Sequence, residues 1–179
     1  MENEKFEIVA AQSGIDWVGR KVTGAHNGTI DFKSGTLYFA AGQLVGGEFT
    51  VDTTSIKILD VTDPATNDQF AGHLASDDFF SSEKYPEAKL VITSVSPVTA
   101  NSYDVNADLT IKNITHEVIF TVEVNAKQDR AEASGKIIVD RTLYEMRFRS
   151  GNFFKDLGDT LIYNDFDLNV RITAKKAKQ

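Results

Sequence analysis

Apolar and polar residues alternate with a period of two along most of the chain, as in strands with one dry and one wet face. The clearest case is Tyr103–Lys112: Tyr103, Val105, Ala107, Leu109 and Ile111 fall on one face, and Asp104, Asn106, Asp108, Thr110 and Lys112 on the other. Val118, Phe120, Val122 and Val124 repeat the pattern, and Asn113-Ile114-Thr115-His116 reads as the link of a hairpin, with an Asn suited to a left-handed turn. Further strands are expected at Ile15–Val22, Gly28–Phe32, Thr36–Phe39, Gly47–Ile58, Ala88–Val95, Ala131–Val139 and Thr160–Thr173, where Ile162, Phe166, Leu168, Val170 and Ile172 share one face. Turns are expected at Lys33-Ser34-Gly35, Gly42, Gly46-Gly47, Asn101-Ser102 and Leu157-Gly158-Asp159, and Tyr144–Phe154 reads as extended but irregular. One segment breaks the rhythm. After Asp63-Pro64 the run Ala65–Leu74 suits a helix, with Asp63 as cap and Pro64 in its first turn, ending near Ser76-Asp77-Asp78.

So many antiparallel strands with wet outer faces need their edges protected, and closure into a barrel does that. The pattern therefore predicts an all-β barrel with a short helical insertion near residues 64–75, and no linker or repeat divides residues 1–179. Composition adds limits. A net charge of −7 and a pI near 4.9 disfavour nucleic acid and anionic membrane surfaces as partners. The short basic end, Lys175-Lys176-Ala177-Lys178, reads as a solvated terminus. The absence of cysteine excludes disulfides, thiolate metal sites and cysteine nucleophiles. No run approaches the ~20 apolar residues of a spanning helix, so stable membrane insertion is not expected. Met1-Glu2-Asn3-Glu4-Lys5 lacks the pattern of a signal peptide, so the chain reads as cytoplasmic, or as periplasmic or secreted if a leader has been removed.

Candidate chemistry is sparse. His26, His73 and His116 have no local partner at metal-ligand spacing, so no metal is expected. His116 reads as solvated on its turn; His73 is either a bonded polar group at the helix–strand junction or a lip residue for a head group. Asp77 and Asp78 diverge as neighbours and suit capping better than acid–base work. Arg141, Arg147 and Arg149 stand beside aromatics and either pair with surface acids or hold an anionic head. Trp17 resembles the floor tryptophan of ligand-binding barrels, though a buried, singly hydrogen-bonded indole explains it equally. Outward Ile119 and Ile138 raise a homodimer face, against the rule that scattered surface apolars are ordinary.

The stretch Gly72-His73-Leu74-Ala75-Ser76-Asp77-Asp78-Phe79-Phe80, followed by Lys84-Tyr85-Pro86, resembles the YceI family of lipocalin-like proteins. Asp16-Trp17 with His26-Asn27-Gly28-Thr29, Gly47–Asp52 with Thr54-Ser55-Ile56, and Leu109–Thr115 agree with it in order. Departures are Asn113 and Glu145, each where relatives carry glycine. The resemblance implies a lipocalin-like, eight-stranded antiparallel barrel around an apolar channel that takes a polyisoprenoid or similar amphiphile, and it carries over no catalytic residues. Physics supports a lipid, since each buried methylene contributes ~0.8 kcal/mol. The expected function is to carry or store an isoprenoid or isoprenoid-quinone-like lipid, without chemistry on it and with no required cofactor. Wall candidates are Trp17, Phe49, Phe120, Phe148 and Phe166; Phe70, Leu74, Phe79 and Phe80 would guard the mouth; His73, Arg141 and Arg147 are head-group candidates. For any one aromatic, core packing is the plain alternative. Two other readings stay open: an enzyme acting on a lipid or hydroperoxide, which needs polar groups inside the barrel, and a ligand-free stress-response protein with a packed core.

Overall fold

In the computed structural model, residues 4–21, 24–76, 80–144, 146 and 162–177 are described. The strands are β1 (Glu4–Ile8), β2 (Gly14–Lys21), β3 (Gly24–Ala40), β4 (Gln43–Ile58), β5 (Glu87–Pro97), β6 (Ser102–Ile111), β7 (Ile114–Ala126), β8 (Arg130–Asp140) and β9 (Ile162–Lys176). One helix, α1 (Pro64–Ala75), lies between β4 and β5, and 3-10 turns span Ala10–Gln12 and Arg141–Tyr144. All described pairings are antiparallel. They run β3-β2-β9-β8-β7-β6-β5-β4, and the β3–β4 ladder closes the circle. The fold is thus the expected closed eight-stranded barrel with a short helix.

The ninth strand does not add a position. β1 pairs with Thr36–Phe39 of β3 and the end of β9, while β2 pairs with the earlier part of each. Together they form one interrupted strand. Ser13 mends the break: its hydroxyl donates to the Val9 carbonyl at 2.8 Å and accepts from the Thr173 N–H at 3.0 Å. β1 escaped the sequence reading because only Phe6 and Ile8 face inward from it.

Two expected turns are strand. β3 runs unbroken through Lys33-Ser34-Gly35, where its register against β4 shifts between Phe32 and Ser34. This is a bulge, which bends a strand without ending it. Gly46-Gly47 likewise lies within β4. Both glycine signals reflect crowding: a Cβ on Gly35 would lie 2.5 Å from the Phe49 ring, and one on Gly47 would lie 3.2 Å from it. The β6–β7 turn is Lys112-Asn113, both at positive φ (55° and 60°), as a two-residue hairpin turn of primed type requires. Ile114–His116 therefore begins β7, and His116 is not on an exposed turn. Residues 145, 147–161 and Asp77-Asp78 lie outside the described residues, and with them most of the irregular stretch, the 157–159 turn and the start of the last expected strand. Tyr144 itself ends a 3-10 turn.

Helix α1 forms as its sequence predicts. The Asp63 carboxylate accepts from the Thr66 N–H at 3.0 Å and hydroxyl at 2.6 Å, and Pro64 follows the cap. No α1 residue is fully buried; the helix is tied to the barrel by the Asn67 amide, which donates to the Ile58 and Val61 carbonyls at 2.9 Å.

The barrel end opposite α1 is packed shut. Phe6, Phe39, Leu44, Tyr103, Val124, Ala131 and Ala174 are buried there, with Phe6 and Phe39 edge-to-face at 4.9 Å. On the outer wall, Asp167 of β9 is only 5% exposed, held by Arg20 of β2 at 2.8 Å and Lys136 of β8 at 3.3 Å. The Arg20 hydrogen bond, aided by Lys136 and working against burial, keeps its carboxyl below the usual range.

Two inward glycines give a paired test. A Cβ on Gly28 would lie 1.8 Å from the Lys57 carbonyl oxygen and 2.6 Å from the Trp17 ring, whereas one on Gly19 meets nothing within 4 Å. Gly28→Ala is expected to cost about 1–3 kcal/mol, a Tm loss of roughly 2–10 °C for a chain of this size. Gly19→Ala should leave Tm within a degree or two of the parent, as thermal unfolding followed by circular dichroism will register.

Candidate site: an apolar interior with a polar rim

Alternation and register define which side chains face inward. On β9 these are Phe166, Leu168, Val170, Ile172 and Ala174; the first three are half-buried and the last two buried. Phe120 on β7, Leu90 and Ile92 on β5, and Val51 and Ile56 on β4 are also half-buried and pack against the core. These positions keep some accessible apolar surface, whereas Leu109, Ile111, Val139, Tyr144 and Met146, on the other side of the same end, are buried. Gly19 marks a gap here: it pairs with Phe166 and His26, faces inward with them, and no described residue lies within 4 Å of where its Cβ would be.

The helix and the segment after it stand at this end. Phe70 of α1 packs on Trp17 at 6.5 Å and edge-on to His26 at 4.7 Å. Phe80 meets Phe166 edge-on at 6.2 Å, and Leu74 packs against the core. The segment is pinned by partly buried polar bonds: Phe80 N–H to the Leu74 carbonyl, Ser82 N–H to the Ala75 carbonyl, and the Thr53 hydroxyl to the Tyr85 carbonyl at 2.8 Å. The Trp17 indole donates to the Thr29 carbonyl at 3.3 Å, which fixes the ring flat over Gly28.

The sequence-predicted residues therefore divide. Trp17, Phe70, Leu74, Phe80 and Phe166 gather at the α1 end, and Phe120 lies on the inward face of β7. Phe49 is buried, its ring 6.1 Å from that of Phe32, and belongs to the packed wall. His73 is half-buried in the last turn of α1. Arg141 is buried and donates to the Met146 carbonyl, and burial pushes its pKa down to about 10, so it stays charged at neutral pH. Phe79, Arg147 and Phe148 lie outside the described residues. Ile119 and Ile138 are 68% and 57% exposed on the outer wall.

His116 faces inward beside Leu109, not into solvent. Its Nε2 bonds the Leu143 carbonyl at 3.0 Å, and its ring meets Tyr144 edge-on at 5.3 Å. Tyr144 in turn donates to the Leu109 carbonyl at 3.1 Å; burial raises its pKa to about 12, which keeps the phenol protonated. Among the described residues no three His, Asp or Glu side chains gather as a metal site, and no helix is long and apolar enough to cross a membrane.

Sequence reasoning missed the rim pair. His26 Nδ1 lies 2.7 Å from Asp60 Oδ2, and the Asn27 N–H donates to Asp60 Oδ1 at 3.1 Å. Partial burial works to raise the Asp60 pKa, but the Asn27 N–H and His26 outweigh it, so the carboxyl sits below its ordinary value. Thirty-four residues separate the partners, so no local motif could join them.

A family model described as the YceI-like domain matches residues 6–174. A UPF0312 protein of Photorhabdus laumondii is 35% identical over 130 residues, which cover 63% of this chain and 61% of that protein. A UPF0312 protein of Pseudomonas savastanoi is 30% identical over 101 residues, covering 56% and 50%. The chain thus spans between half and two thirds of the length of these curated relatives. Among solved structures, Burkholderia cenocepacia BcnA superposes with a TM-score of 0.73 at 22% identity, covering 93% of this chain and 99% of that one. A polyisoprenoid binding domain from Saccharophagus degradans, implicated in plant cell wall breakdown, gives 0.69 at 13% identity, covering 96% and 98%. At these identities the likeness establishes the barrel.

The rim pair has a pH signature. A carboxyl whose folded pKa is depressed contributes stability that is complete above its unfolded value of about 3.9 and is lost as pH falls through the folded value. Asp60→Asn should therefore lower Tm at neutral pH and close the gap to wild type as pH falls from about 5 toward 2. A constant gap across that range would mean Asp60 acts through shape alone.

Proposed function

The chain belongs to the YceI-like family, and from that membership we propose that it binds the apolar tail of an amphiphile, of polyisoprenoid or isoprenoid-quinone type, inside the barrel. It carries or stores this molecule without transforming it, and needs no cofactor to do so. One observation supports the reading: among the described residues nothing fills the inward face at Gly19, and Phe166, Leu168 and Val170 on the neighbouring strand keep accessible apolar surface. An apolar wall that is only half covered gains from hydrocarbon what it would lose to water, at ~0.8 kcal/mol per methylene buried. The cost of ordering a flexible tail reduces that gain. Among the structural neighbours, one is named as a polyisoprenoid binding domain, which supports the same class of ligand here. Binding is likewise favoured over turnover by the character of the described inner wall, which is mostly apolar, its polar groups being chiefly at the α1 end.

The direct test is organic extraction of protein purified without detergent, followed by mass spectrometry. A near-stoichiometric isoprenoid or quinone-like lipid is expected; a clean extract, repeated after candidate lipids are offered, would overturn the reading. Position 19 offers a sharper test. A Cβ at position 19 meets no described residue within 4 Å, so Gly19→Leu is expected to fold, checked by circular dichroism, while the new side chain displaces the ligand. Excluding about two methylenes at ~0.8 kcal/mol each weakens binding roughly tenfold. Unchanged affinity in a folded variant would place the ligand elsewhere.

A further inference from the structure

We infer that His26 and Asp60 form a head-group site at the mouth of the barrel, and that it takes a hydrogen-bond donor, a hydroxyl carried by the amphiphile. The inference rests on the tail-binding reading above and adds what the polar end must be.

A carboxylate only accepts hydrogen bonds. With Asp60 Oδ2 at 2.7 Å, His26 Nδ1 must carry the proton of that bond, and in the neutral ring Nε2 is left as an acceptor. The carboxylate is itself fixed by the Asn27 N–H at 3.1 Å, and the ring is braced edge-on by Phe70 at 4.7 Å. The imidazole is thus set in tautomer and orientation before any ligand arrives. Among the described residues no group bonds Nε2.

Register places this acceptor at a notch. Gly19 is the direct cross-strand partner of His26 on one side and of Phe166 on the other, and all three face inward. No described residue comes within 4 Å of a Cβ placed on Gly19. The notch is therefore walled by the imidazole, by the Phe166 ring and by Trp17, two residues back on the same face. A hydroxyl lodged there meets Nε2 while its tail runs along Leu168 and Val170, both apolar and half-buried. The hydroxyl of a prenol or of a reduced quinone has this chemistry. An ether, or the carbonyl of an oxidised quinone, brings a second acceptor against an acceptor and is disfavoured.

The test uses geranylgeraniol and its methyl ether, which share a tail and differ in the donor. Trp17 is the only tryptophan in the chain and lies beside the notch, so its fluorescence reports binding of either. Wild type should prefer the alcohol by about three- to tenfold, the range of one net hydrogen bond. His26→Phe should bind both alike, with affinity for the ether within about twofold of wild type. Asp60→Asn, which frees the ring to take either tautomer, should narrow the preference. If His26→Phe does not fold, His26→Leu, which likewise removes the acceptor, and Asp60→Asn decide. Equal binding of both probes by wild type, or a preference that survives loss of the imidazole, overturns the head-group site alone. If wild type takes up neither probe, the tail-binding reading fails and the site falls with it.

Discussion

The architecture depends on one ladder, the pairing of β3 with β4 that closes the sheet on itself. An open sheet of this size would leave two rows of unpaired backbone groups at its edges, available to any passing strand. β3 removes both edges because it is long enough, at 17 residues, to pair with β4 along one side and with β2 and then β1 along the other. A strand of that length must bend to follow the wall. Its register against β4 shifts at three places, and each extra residue supplies curvature that regular pairing would not give. Inside the bend, the Phe49 ring lies across Gly35 and Gly47, so the chain curves where side chains have been omitted.

Much of this was legible in the sequence, and the gaps have physical causes. The hairpin of β6 and β7 could be read residue by residue because one face is buried and the other wet, which fixes the alternation. The helix could be read because Asp63 and Pro64 are local signals. β3 was cut in two because glycine has two uses: it permits turns, and it permits close approach, and only the partner ring distinguishes them. His116 was misplaced by two positions of turn assignment, enough to move it from solvent to the inner wall. At the site, the aromatic rim was legible as composition near motif, whereas the openness at Gly19 is a property of space rather than of residue type. His26 and Asp60 meet only because β3 and the link after β4 are brought side by side.

Charge is distributed to match these roles. The chain is acidic, and one carboxylate, Asp167, is buried on the outer wall where Arg20 and Lys136 join three neighbouring strands through it. A charge so enclosed is tolerated because its partners are close and its hydrogen bonds are filled. The inner wall, by contrast, admits polar side chains chiefly at the α1 end. His116 is used up by the Leu143 carbonyl and Tyr144, and Arg141 is turned to Met146, so neither leaves a bare charge facing the apolar interior.

With the far end sealed by Phe6, Phe39, Leu44 and Tyr103, an interior that holds a tail as proposed would be a blind tube rather than a passage. A blind tube imposes an order of entry: an amphiphile goes in tail first and comes out head first, by the same door. It also imposes a length. A tail shorter than the tube leaves apolar wall uncovered, and a longer one must fold back or hold its head out of reach of the rim. The plug at the far end would then be the part of the molecule that measures.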